Sequence, residues 1–271
     1  MTKNIAFLRH SLLFAHLIYS SMSFAASDVF LGIGTQQFTL VETHPATQQR
    51  LVNEDGTLLS AHFGLIWPQD KLRLRLEGQQ SYGEIDYDGH TQSGIPHQTD
   101  TTHTITQGQA SLGYLIHPTL EWYVGGNLQQ TIRDVANKDN IAGATETYTE
   151  LFAKSGLRLS TPSQNPHQVS IWLEWLMPAY ARSDVDSRVT EDFSLRLKKA
   201  KARAYGMAYH VRLSNELSWF VEGAYLKHSY QDSTRATVIN YGNGFAETYY
   251  QPPISFSHTQ VYTGLVWHIP H

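Results

Sequence analysis

Cysteine is absent from all 271 residues. A chain exported from the cytoplasm without cysteine has no disulfide framework, so its stability must come from the sheet or core itself. Charge is also scarce: Asp, Glu, Lys and Arg make up 16% of the chain, well below the usual quarter, and the formal net charge is only −4. So weak a balance gives no electrostatic footprint for nucleic acid. The third absence is decisive for topology. Beyond Ala26 no apolar run is long enough to form a membrane-crossing helix, so a membrane location requires crossing as strands.

What is present is an aromatic content of 12% on a mildly polar average. That combination suits a barrel that is greasy outside and wet inside. The N-terminus reads as an export signal: Lys3 and Arg9 precede an apolar run from Leu12 to Phe24, and Ser23-Phe24-Ala25 offers a cleavage site. Residues 1–25 are therefore expected to be a signal peptide and 26–271 the mature barrel domain. A membrane anchor is the competing reading, but the run is short and contains His16. No cysteine follows the cleavage point, so a lipoprotein is not expected.

Period-two alternation recurs along the mature chain. Val29, Leu31 and Ile33 oppose Phe30, Gly32 and Gly34; Leu59, Ala61, Phe63 and Leu65 oppose Ser60, His62 and Gly64. The same reading applies from Leu72 to Glu77, Gln109 to Ile116, Leu120 to Gln129, Glu150 to Leu159, Val169 to Met177, Ala204 to Leu213, Leu217 to Tyr225 and Val261 to Ile269. About ten strands result. Their connections alternate strictly between tight turns (Trp67–Lys71, His117–Thr119, Thr161–Pro166, Ser214–Glu216) and long polar stretches (43–56, 83–104, 134–145, 179–191). A soluble sandwich has no reason to alternate in this way, whereas short periplasmic turns and long extracellular loops do. The expected fold is all-β, a transmembrane up-and-down antiparallel β-barrel of about ten strands in the cell outer membrane. Tyr241-Gly242-Asn243-Gly244 reads as a hairpin turn between strand-like flanks.

The C-terminus resembles the assembly signal of Gram-negative outer-membrane β-barrel proteins. Tyr262, Gly264, Trp267 and Ile269 fit that pattern, although the chain continues through Pro270 and His271 where the family usually ends on an aromatic. The resemblance is architectural and covers the whole chain. It implies outer-membrane lipid, lipopolysaccharide and the outer-membrane assembly machinery as partners, and a monomer.

Charges of both signs fall on the wet parity: Arg73, Arg75, Glu77, Glu121, Glu150, Lys154, Arg158, Glu174 and Glu222. A buried polar lumen is viable only if such charges pair, so a salt-bridged plug is expected. The competing reading is a narrow porin lined by Arg73, Arg75 and Arg158. Lys199, Lys201 and Arg203 share the outward parity of Tyr205 and Met207. The rise of a tilted strand puts them at the upper edge of the ~25 Å apolar band, where lipopolysaccharide phosphates lie.

Chemistry is harder to find. Ten-stranded barrels with tall walls resemble the omptin proteases, a family that activates water with an Asp-Asp pair opposite an Asp-His pair at the barrel mouth. Asp86, Asp88 and His90, with Asp184 and Asp186, are the residues here that the resemblance would recruit, but no histidine follows the second aspartate pair at the family's spacing. Outer-membrane lipid hydrolases pair serine with histidine on the wall; Ser255, Ser257 and His258 are close in sequence but of opposite parity. His90, His97 and His103 match no standard metal spacing. Neither catalytic residues nor a cofactor or metal are assigned. The role expected is structural or interactive: envelope integrity, lipopolysaccharide contact, or host or phage contact through surface loops.

Overall fold

The computed structural model describes residues 27–90, 96–138, 142–162 and 165–269. The expected signal peptide lies outside these residues, as do Pro270 and His271. Wall strands run in chain order: β1 (Ser27–Thr43), β2 (Arg50–Gln69), β3 (Leu72–His90), β4 (Pro96–His117), β5 (Leu120–Val135), β6 (Ala144–Ser160) and β7 (His167–Ser187). The eighth wall position is shared by β8 (Phe193–Lys198) and β9 (Lys201–Arg212), followed by β10 (Leu217–Tyr230), with β11 (Asp232–Ser233) continuing it along β8. A separate hairpin, β12 (Arg235–Ile239) and β13 (Ala246–Tyr250), precedes the last wall strand, β14 (Ile254–Ile269). Every neighbour pair is antiparallel, and β14 returns to β1 in an unbroken register from Ser27↔Ile269 to Glu42↔Ile254. The ring is closed with ten wall positions, so no sheet edge faces lipid.

The distribution of apolar residues is inverted relative to a soluble fold. Ile33 and Leu59 point outward and are 67% and 73% exposed, while Gln36, Glu54 and Glu150 point inward and are fully buried. The outward apolar belt runs through Val29–Ile33 on β1, Leu59–Trp67 on β2, Leu120–Leu128 on β5 and Leu151–Leu159 on β6. Above it the outward positions become polar: Thr102, Thr104 and Thr106 on β4, Thr145, Thr147 and Thr149 on β6. Threonine keeps the β-branched fit to a pleated wall while tolerating water. The strands β1 to β7, 16 to 22 residues long, at about 2.5 Å of height per residue make walls of roughly 40–55 Å, well beyond the ~25 Å lipid band.

Those tall walls correct one expectation. The stretches 43–56, 83–104 and 179–191 are mostly strand, because β2 starts at Arg50, β3 reaches His90, β4 starts at Pro96 and β7 reaches Ser187, whereas 134–145 is strand only at its two ends, where β5 stops at Val135 and β6 starts at Ala144. The polarity of the first three reflects walls standing in water rather than absence of secondary structure.

The ladder between β6 and β7 is irregular in mid-wall. Leu151 pairs with Tyr180 and Phe152 with Pro178, leaving Ala179 as a bulge. Pro178 donates no ladder hydrogen bond, and a bulge accommodates that loss. Directly beside it the next wall breaks between β8 and β9, where Lys199 takes a φ of 53°. The two defects together open an outward notch lined by Pro178–Ala181 and Arg196–Ala200.

Inside, the upper half is filled. Phe38, Leu40, Leu58, Tyr148 and Phe256 are wholly buried and form one cluster with Val52, Ile85, Ile105, Leu197, Tyr230 and Ile254. These side chains come from walls around the ring and pack against one another inside it.

Candidate functional site

The lumen below that cluster is polar. Arg75 and Glu121 form a buried bidentate pair (Nη2 to Oε2, 2.7 Å), with Arg73 3.6 Å from the same carboxylate. Gln109 donates to Glu77 at 2.6 Å and accepts from Lys154 at 2.6 Å. Lys154 also contacts Glu174 at 3.3 Å, and Tyr123 donates to Glu174 at 3.0 Å. His62 lies 3.4 Å from Glu77. Between these groups remains a cavity of about 410 Å³. Its lining reaches Asp28, Pro68, Ser160 and His268 at the turn end, which is the periplasmic end of an outer-membrane barrel. Above it, Gln36 accepts from Gln79 (2.8 Å), Gln260 (3.1 Å) and Ser81 (3.0 Å), and donates to His258 (2.9 Å).

A second charge cluster lies above the lipid-facing segments, against the apolar closure. Arg133 reaches Glu54 at 2.6 Å, Glu146 at 2.7 Å and Glu42 at 3.4 Å, and its guanidinium lies 5.5 Å from the Tyr87 ring. His103 donates to Glu54 at 2.7 Å. Burial pushes the Glu54 carboxyl up, but Arg133 and the His103 hydrogen bond outweigh it and hold it below the usual range. At Glu42 burial wins: with Glu146 and Glu54 adding repulsion, its pKa is pushed up to about 7 despite Arg133. Tyr230 donates to Glu150 at 2.6 Å; His228 Nε2 is 3.0 Å from the same carboxylate but outside hydrogen-bond geometry.

The residues singled out in the sequence fall as follows. Arg73, Arg75, Glu77, Glu121, Lys154, Arg158, Glu174 and Glu222 all sit in the lower lumen, and Glu150 in the upper half. Asp86, Asp88 and His90 face outward on β3, where the inward positions are Ile85, Tyr87 and Gly89. Asp184 and Asp186 face outward on β7, and the inward positions are Ser183 and Val185. Asp184 is engaged by Arg182 and Ser194, and Asp88 by Arg50 at 3.5 Å. The structure therefore does not bring these carboxylates together at the mouth. His90 faces out while His97 and His103 face in, and no metal-binding group of three occurs among the described residues. Ser255 and Ser257 point outward and His258 inward, so no serine–histidine pair forms.

Lys199, Lys201 and Arg203 are exposed on the outer face; Lys199 lies 3.6 Å from Asp232. Lys227 on β10 stands directly across from Arg203. One step below, Tyr205 and Tyr225 pair with ring centres 5.2 Å apart. Of the four residues that resemble an assembly signal, Tyr262 is buried in the lumen, Gly264 lies on the seam with β1, and Trp267 and Ile269 face outward. The Arg133 cluster was not found in the sequence, although its parity signal is there. Arg133 continues the inward series of Glu121, Asn127 and Gln129.

No family model matches the chain, and no curated protein matches it by sequence. Solved structures do. The outer membrane protease OmpT from Escherichia coli superposes with a TM-score of 0.60 at 12% identity, over 92% of this chain and 99% of that one. The translocator domain of the autotransporter NalP from Neisseria meningitidis gives 0.43 at 8% identity, covering 97% and 96%. The outer membrane protein OprG from Pseudomonas aeruginosa gives 0.41 at 9%, covering 92% and 97%. The chain has the fold of an outer-membrane β-barrel. At these identities the likeness concerns fold, and activity has to be argued from the site.

Proposed function

We propose that this barrel is a sealed scaffold of the outer membrane that works at the cell surface and holds lipopolysaccharide on its outer rim. The observation that supports it is the apolar packing of the upper lumen: Phe38, Leu58, Tyr148 and Phe256, all wholly buried, stand where a channel needs water. The narrow-porin reading requires a continuous wet path, and the Arg73–Arg75–Glu121 lattice ends below this closure. Omptin-like proteolysis requires carboxylates facing the mouth, and the aspartates available face away from it.

The outer rim supports lipopolysaccharide as the partner. Arg203 and Lys227 are like charges placed directly across a strand pair, an arrangement that is unfavourable unless an anion lies over it. They stand one step above the Tyr205–Tyr225 pair, at the level of an aromatic girdle. Lys201 and Lys199 extend the patch upward. At the tip of the β12–β13 hairpin, Tyr241 and Phe245 are 65% and 71% exposed, a surface suited to contact with another cell or particle.

Planar-bilayer recording tests the sealed bore: no conductance steps are expected, and stable single-channel steps would overturn the scaffold reading. Reversal of Lys199, Lys201, Arg203 and Lys227 to Glu should abolish lipopolysaccharide co-purification while leaving the barrel folded. Unchanged binding would remove the rim assignment.

A further inference from the structure

The lower cavity is lined by two ionisable groups, Arg158 and Glu222, that make no close ion pair among the described residues. Arg158 projects into it from β6 with its guanidinium 5.0 Å from the Trp172 ring and 6.0 Å from that of Tyr123, and its Nε has no hydrogen-bond partner. Glu121, its cross-strand neighbour, is taken by Arg75. Glu222 lines the same cavity from β10 and forms no ion pair among the described residues, because nearby His62 is engaged by Glu77. A structural plug would pair these two charges with each other or with the lattice, since an unpaired charge in a low-dielectric interior is costly. Here a guanidinium backed by aromatic rings and a carboxyl group, neither in a close ion pair among the described residues, line one space, with Phe220 and Trp172 supplying apolar wall.

We propose that this cavity is a binding site for a small zwitterion, a free amino acid or short peptide, that enters from the periplasmic end. The carboxylate of the ligand sits on Arg158, its ammonium on Glu222, and its side chain against Trp172 and Phe220. A guanidinium held on ring faces is pre-oriented for a planar carboxylate. The volume of about 410 Å³ lies in the range of small-molecule pockets. The apolar closure above makes the site a blind end, so the ligand is held rather than passed through. The site is independent of the outer rim, and the proposal stands or falls separately from the lipopolysaccharide reading.

The test uses the full-length mature barrel in detergent, with Ala-Ala as the probe and calorimetric titration as the readout. N-acetyl-Ala-Ala lacks the ammonium, and Ala-Ala amide lacks the carboxylate. Saturable binding of Ala-Ala is expected, weakened about tenfold or more by either blocking group, as for loss of a charge-assisted hydrogen bond. Glu222→Gln should weaken Ala-Ala but not the acetylated probe, and Arg158→Gln should weaken Ala-Ala but not the amide. The three probes on the unmodified protein decide the matter even if a variant fails to fold. Absence of saturable Ala-Ala binding, or equal affinity for all three probes, would overturn the assignment.

Discussion

Arg133 shows how a single side chain organises the upper lumen. It joins β1, β2 and β6 through Glu42, Glu54 and Glu146, at 3.4, 2.6 and 2.7 Å. Burial of the Glu42 carboxyl, with repulsion from Glu146 and Glu54 added, outweighs Arg133 and pushes its pKa up to about 7. Arg133→Met removes the cation and strands the carboxylates. Urea unfolding in detergent should then show a loss of about 3–5 kcal/mol at pH 7.5, the cost of breaking a buried ionic cluster from one side. The pH dependence has a defined sign. Glu42 binds its proton more tightly folded (about 7) than unfolded (4.5), so its contribution is fully present below pH 4.5 and is lost as pH rises through 7. Stability should fall between pH 5 and pH 8 by an amount on the order of 2 kcal/mol from this group, and Glu42→Gln should flatten that slope. A wild-type protein and a Glu42→Gln variant with the same pH slope would rule this out.

At the scale of the elements, alternation made the wall readable and polarity hid its height. The outward series at Val29–Ile33 or Val169–Met177 is apolar and short, and it is legible because lipid demands it. Above the belt both faces carry polar residues, as at Asp100–Thr106, so periodicity loses contrast and strand reads as loop. The Arg133 cluster was missed for that reason, since Glu42, Glu54, Arg133 and Glu146 all lie in stretches taken to be polar connections or next to them. The bulge at Ala179 was invisible for another reason: it shifts parity by one residue, and only cross-strand register reveals the shift. The ring closes where the last strand meets the first. Gly32 and Gly264 face each other across the β1–β14 seam, and a Cβ on Gly264 would lie 2.1 Å from the Leu31 carbonyl oxygen and 2.7 Å from the Phe220 ring. Gly264→Val should therefore destabilise the closed ring by about 1–3 kcal/mol through overpacking. Heat-modifiability on gels reads this directly, and an unchanged transition would show that the seam can yield.

At the scale of the whole molecule, the two halves of the lumen behave differently towards water. The lower half keeps a cavity whose lining reaches the periplasmic rim, while the upper half is packed by apolar side chains and one ionic cluster. If the upper lumen is sealed as proposed, access to the lower cavity is from the periplasmic side alone. The chain's lack of cysteine makes this measurable, because a single introduced thiol is the only one present. Gln107 lines the cavity and Leu58 lies within the closure. In barrels oriented in vesicles, Gln107→Cys should react with a small charged thiol reagent supplied at the periplasmic end and resist the same reagent supplied outside. Leu58→Cys should resist from both sides, because a wholly buried position offers the reagent no path without local opening. Labelling of Gln107→Cys from the outer side at a similar rate would mean that the apolar closure opens, and the barrel would then have to be regarded as a gated passage.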